Sequence, residues 1–553
     1  MVTCQTAMKT AILTKFIIPK IIGLLAIWRN YGWKCMAFTL ILGLFIAHTA
    51  PAQLEKVTHI EFPSTSTYDE SFEVFPLGEQ GALALFRNGV HSGRNEEWQF
   101  VRLDNELNVL WNANHYLDFR YVPVMAYQNE HHAYWVFAEP DTDQFLFLQL
   151  NLETGYRDVH EGKLLANMDL HHFKVMESKA ILAGYHRGRP VVVIFSFFDK
   201  TTRVLPGLYE RNSELNGVDI NEIDGLINVI TYTFRRRQCF FQIKTYNYEG
   251  RLLKTTTLTD EEYSIISGQI VPLNEDDSYL IGNYSIGCTP FSQGIYISHI
   301  VDTQPEKLEY IEFSELQNFF NYMKPRRKAR VEARIGKRKS LGKQNRFRYR
   351  LLLHDLIETE DEILLVAEVY YPNYRNYSSS PMNMSSFSRS TMRYQDGYRY
   401  THAIVCGFNK NGKYMWDNSF AIKNLVSYDL QQMVQLSRFG DYWVLAYPDE
   451  GNIHTEVIKR EKVVVESTKH ELRSKDRSLF FHENASLAAW YDRYFMTFGK
   501  QRPENAPITS QKEVYYITKL TYHVDPETGI PLSDSSSNSK TSSPKKSAGS
   551  RAH

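Results

Sequence analysis

Between Phe72 and Val524 the chain repeats one pattern eight times: an alternating apolar strand, a polar turn, a second apolar strand, then a strand pair around a turn rich in Asp, Asn and Gly. The period is roughly 45–50 residues, and four short strands fill it. One such sheet cannot bury both faces by itself, so a chain built this way folds only by stacking its sheets on one another. The outer hairpins are the clearest, as in Trp98–Asp118, Cys239–Asp260 and Thr401–Lys423, each with two alternating runs around a polar bend. Gly or Asn at such bends relieves the positive φ that tight hairpins need. The inner pairs, such as His172–Tyr185, Val218–Thr233 and Leu479–Phe498, read as fully buried strands.

Radial stacking of eight four-stranded antiparallel sheets predicts an all-β fold, a single eight-bladed β-propeller. The last outer strand, Val514–Val524, is followed at once by Asp525-Pro526 and has no partner after it, whereas Lys56–Phe62 is a lone strand ahead of the first pair. Pairing the two closes the ring with an N-terminal strand and removes both sheet edges. Seven blades would leave one strand pair unassigned; two packed β-sandwiches, or a shorter propeller with a separate β domain, are the other arrangements. The expected organisation is a targeting segment at 1–52, a propeller at 53–532 with insertions at 317–350 and 373–400, and a disordered Ser/Lys-rich tail at 533–553.

The N-terminal segment has the form of an export signal. Arg29 and Lys34 precede the apolar run Met36–Ala47, and Ala50-Pro51-Ala52 before Gln53 has the small-x-small form of a cleavage site. A noncleaved anchor is the alternative, although the run is short for a membrane span. The expected mature chain is exported, whether periplasmic, cell-surface or secreted, with no integral span. No Cys stands at the cleavage position for a lipid anchor. Cys239 and Cys288 fall at the same end of adjacent blades, so a disulfide between them and three free thiols (with Cys406) both fit.

Lys+Arg and Asp+Glu are balanced at 63 each, which argues against a global nucleic-acid or membrane-surface binder. Charge is instead local. The stretch Lys324–Arg350 is densely basic with Glu332 its only acid, and Asn373–Tyr400 interleaves Tyr, Arg, Ser and Met. A connection after a fourth strand and one after a second strand leave a blade on the same side, so the two insertions share a face, where repeat folds place their binding loops. The basic stretch suits polyanions or stays a solvated loop; the Tyr/Arg stretch suits an adaptable contact surface or low-complexity disorder. The candidate binding residues are Arg326, Arg327, Lys337, Arg338 and Lys339 of the first insertion, and a rim of aromatic and basic residues at the ends of the inner hairpins: Tyr185, Arg187, Arg235, Arg236, Arg237, Tyr371, Tyr374, Arg375 and Tyr447. Blade packing explains the rim tyrosines as well as binding does.

Inner-strand ionisable groups, among them Asp169, His171, His172, Asp219, His354 and Asp355, either line the channel mouth or hydrogen-bond strand ends. No catalytic residue, metal site or cofactor is assigned: C-x-x-C and Cys/His zinc spacings are missing, and paired carboxylates occur in nearly every such array. The chain resembles the β-propeller superfamily, nearest to exported bacterial propellers whose repeats read as an alternating strand, Asp/Asn-x-x-Gly, and a strand ending in Trp. The matching stretches are Phe408–Trp416, Leu103–Trp111 and Tyr246–Leu253. WD40, kelch and quinoprotein marks are absent or fragmentary, which disfavours quinone chemistry. The leading expectation is a noncatalytic exported propeller that binds a protein or acidic glycan, not nucleic acid, through loops on one face. A polysaccharide-active hydrolase or lyase working at the channel mouth, and a structural subunit of an envelope complex, are the alternatives.

Overall fold

Alternation sends successive side chains of a strand to opposite faces, and in the middle strands of this chain both faces are apolar. Lys179–His186 and Arg189–Ser196 are buried along nearly their whole length. In the computed structural model their residues divide between two neighbours. Leu182, Val191, Val193 and Phe195 pack against Tyr134, Val136 and Phe147 of the preceding sheet. Ile181, Ala183, Val192 and Ile194 pack against Val218, Ile227, Val229 and Tyr246 of the following one. Each such side chain contributes about 1.5–3 kcal/mol by leaving water, and no sheet keeps that contribution without both neighbours.

The structure describes residues 54–64, 71–235, 238–274, 277–301, 304–306, 308–377, 392–449, 451–471, 485–501 and 513–522. Eight antiparallel sheets follow one another around a ring, and the protein is an eight-bladed β-propeller. Blades one to seven occupy 71–118, 122–163, 169–204, 213–258, 263–312, 350–427 and 435–471. Blade eight takes its three inner strands from 486–522 and its outermost strand from Leu54–Pro63. That strand pairs antiparallel with the last one, from Leu54 opposite Tyr522 to Pro63 opposite Val514, which is the closure expected from sequence.

The innermost strands depart from the sequence expectation. Ser71–Pro76 and Asp169–Met176 alternate between exposed and covered positions rather than being buried throughout. Their position explains it: the first strands of blades two to five touch in succession, as do those of blades seven and eight, and in a propeller one side of such strands faces the channel. Blades two to five each shift register within the first strand, at Pro123/Met125, Leu170/His172, Leu215/Gly217 and Ile265/Ser267. A bulge there bends the strand and increases its twist where strands crowd together. Side-chain amides then tie blade to blade. Gln128 donates to Pro76 O at 2.8 Å, and Gln269 both donates to His354 O and accepts from Leu356 N at 2.8 Å.

Cys239 and Cys288 form a disulfide with Cα atoms 5.8 Å apart, joining blades four and five at the end where second strands turn into third strands. Cys406 is free and buried. The targeting segment, the tail and residues 378–391 of the second insertion lie outside the described residues. Among the described residues no helix is long and apolar enough to cross a membrane.

Candidate functional site

The first insertion is neither a loop nor featureless. Residues 313–323 carry Phe313, Leu316, Phe319, Phe320 and Met323 into the core between blades five and six. The chain then forms one helix, α1 (Pro325–Ser340), with Pro at its first turn and Lys337, Arg338 and Lys339 in its last. Proline's missing N–H and fixed φ suit a helix start, and cations suit the negative end of the helix dipole. Val331 and Ile335, one turn apart, rest on the same core. This spacing was the available sign of a helix, hidden by the basic residues around it.

The return segment is fixed along blade five. Phe347 N donates to Gln293 Oε1 at 2.8 Å, Gln293 Nε2 donates to Phe347 O at 2.9 Å, and Ser292 N donates to Tyr349 O at 2.8 Å. At the other end the buried Asp417 carboxylate accepts from Gln317 N and Asn318 N, both at 2.7 Å, and from the Tyr414 hydroxyl at 2.7 Å. Charge-assisted bonds of this kind are about twice as strong as neutral ones, and they tie the insertion to blade six before its cationic part begins.

Between α1 and the return segment lies a groove of about 510 Å³, walled by Arg327, Arg334, Arg338, Arg346 and Arg348 and floored by Tyr322, Tyr349, Tyr371 and apolar side chains. Among the described residues no acidic side chain lines it. The Arg338 guanidinium is oriented by Gln344 O, which it meets at 2.5 and 3.2 Å. Arg327 is close enough to the phenols of Tyr322, Tyr349 and Tyr371 to favour their ionised forms. Burial opposes it and dominates, pushing Tyr371 up to about 12. Tyr322 lies face to face on the buried His402 ring, 3.6 Å between centroids. Asn345 is buried at the groove wall; its amide donates to Glu312 at 2.8 Å while its Oδ1 has no partner.

The candidate residues thus separate into groups. Arg327, Arg338 and Tyr371 come together in the groove. Arg326, Lys337 and Lys339 are exposed on α1 outside its lining, and Tyr374 is exposed on the long second strand of blade six. Arg375 pairs with Tyr394 in that blade's ladder, with its side chain outside the described residues. Arg334, Arg346, Arg348, Tyr322 and Tyr349 belong to the groove and were not singled out from sequence. The alternation Arg346-Phe347-Arg348-Tyr349 was the readable sign that arginines point one way and rings the other.

The rim does not assemble as expected. Tyr447 is fully buried, its hydroxyl accepting from Lys423 N at 3.0 Å and its ring stacked on His454 at 4.8 Å. The Tyr185 hydroxyl accepts from Leu215 N at 2.8 Å, linking blades three and four. Arg187 is exposed at a turn with φ of 53°. Arg235 ends a strand opposite Gln238, its side chain outside the described residues, as are Arg236 and Arg237 altogether. These tyrosines are packing residues: Tyr185 bonds to the following blade, and Tyr447 is covered by blade six and the connection that leaves it.

No family model and no curated protein matches this chain. Among solved structures it is similar to the polysaccharide lyase Uly1, at 9% identity over 84% of this chain and 99% of that one, with a TM-score of 0.37. It is also similar to a prolyl endopeptidase, at 9% identity over 79% of this chain and 54% of that one, with a TM-score of 0.36. A functionally unknown protein from Desulfotomaculum acetoxidans DSM 771 matches at 9% identity over 68% of this chain and 96% of that one, with a TM-score of 0.34. The chain spans about half the length of the prolyl endopeptidase. Likeness at this level says nothing about activity.

Proposed function

We propose that this protein is an exported, noncatalytic β-propeller that holds an acidic glycan in the groove between α1 and residues 345–349. The observation that carries the reading is five arginines around one tyrosine-floored groove with no acid among the described residues of its lining. Guanidinium groups pair with carboxylate or sulfate in two-point geometry, and tyrosine rings offer faces to a sugar. Export rests on the segment ending at Ala52, with Gln53 the expected first residue on N-terminal sequencing of the mature chain.

Charge alone would bind a polyanion anywhere on α1, so the test matches charge and moves position. Replacing Arg327, Arg334 and Arg348 with Gln removes three groove cations; replacing Arg326, Lys337 and Lys339 with Gln removes three that lie outside it. Affinity for dextran sulfate oligomers, measured by calorimetry against unsulfated dextran, should fall at least about tenfold in the first variant and about twofold or less in the second. Equal losses in the two variants would reduce the site to nonspecific charge.

A further inference from the structure

The innermost strands of blades three to six enclose a second cavity of about 360 Å³, far from the groove in chemistry. His172 and Lys174 line it from blade three, Asp219 from blade four, Gln269 from blade five, and Leu352 and Asp355 from blade six. Some of these groups are already engaged. The Gln269 amide is spent on His354 O and Leu356 N, so it is wall. Lys174 Nζ lies over the Tyr127 ring, 5.5 Å from its centroid, and reaches no carboxylate at ion-pair distance among the described residues. Burial, with His171 and Lys174 nearby, holds His172 toward its neutral form. His171 itself faces Asp169 at 3.1 Å, and His354 is taken by Glu368 at 2.8 Å.

What remains is a pair of carboxylates. Asp219 accepts one backbone bond, from Ile270, and its Oδ2 is buried without a partner. Burial is the main cause raising Asp219 to about 6; Asp355 raises it further while Lys174 opposes both. A buried acceptor left unmatched costs about 1–3 kcal/mol, and a second carboxylate in the same lining, Asp355, adds repulsion. One N–H cation between them removes both penalties. A metal ion is the weaker fit, because no group of three or more metal-ligating side chains occurs among the described residues. An anion is excluded by two acids against one lysine.

We propose that this channel cavity binds a small hydroxylated amine of hexosamine size, its ammonium held between Asp219 and Asp355. The volume lies at the lower end of the range for small-molecule sites, roughly 300–1,000 Å³, and the leucine wall takes the carbon face of the ligand. The site is independent of the arginine groove and stands or falls without it.

Glucosamine and glucose differ at one position by an ammonium and a hydroxyl, which makes them the probe pair. Titrated into the full chain at about pH 7.5, glucosamine should bind at least about tenfold more tightly than glucose. Asp219→Asn and Asp355→Asn should each weaken glucosamine by about tenfold or more. Lys174→Met, which removes a competing cation, should keep or strengthen it. Protonation of Asp219 should weaken binding as the pH falls below about 6. Asp355 is exposed in the channel, so its variant carries the test if Asp219→Asn does not fold. Equal binding of the two sugars, no binding of either, or full affinity in Asp355→Asn would overturn the proposal and leave the unmatched oxygen to water.

Discussion

Blades three and six occupy equivalent places in the ring and are built from the same four-strand order, yet the chain enters blade four from blade three through 205–212 and blade six from blade five through 313–349. The short connection seals its corner with Leu205 and Leu208. The long one brings its own apolar run, a helix and a carboxylate anchor, and only then displays arginines. Repetition supplies the walls, and departure from it supplies a surface; the departure in turn needs a core of its own to hold five arginines around a groove whose described lining has no acid.

Truncating Leu54–Pro63 is the harshest way to probe this contrast. Blade eight loses its outer strand and the ring opens, so blades three and six should lose amide protection together and the cooperative transition should disappear. An unchanged transition would mean the blades are not one cooperative unit. Asp417→Ala is expected to act on one side only. It leaves two backbone N–H groups and a phenol unmatched, a cost on the order of 3 kcal/mol, and should accelerate hydrogen exchange through 313–349 while blade three keeps its rates. Uniform acceleration would instead make the insertion part of the blade lattice.

A smaller effect separates the regions by pH. His402, beneath Tyr322, is lowered to about 3 by burial. The unfolded chain therefore takes up the proton first, and stability that is complete above about pH 6.5 drains away as the pH falls toward 3. His402→Phe should flatten this acid sensitivity, by on the order of 2 kcal/mol near pH 4, in unfolding curves collected from about pH 7 to 4. A parallel pH profile in wild type and variant would remove His402 as the link between insertion and blade.

The parts legible in the sequence were those set by period-two alternation: the blades and the closing strand. Strand polarity fixes these without reference to contacts. Tyr447 and Tyr185 misled because such a tyrosine has the same sequence appearance whether a neighbouring blade covers it or not. Helix α1 was missed because two apolar residues, Val331 and Ile335, were its whole inward face. Asp219 and Asp355 were recognised as inner-strand acids, but that both line one cavity depends on how blades four to six pack, which leaves no composition signal.

Closure of the ring also sets a calendar. His59 meets Thr518, 459 positions further on, so the earliest of the described strands waits for the last of them. Until the final blade exists, the nascent protein carries two raw sheet edges, each able to pair with another chain, and the contact that joins them has the slowest search in the molecule. A ribosome that stops a few residues short of Tyr522 therefore releases an open arc rather than a nearly finished propeller.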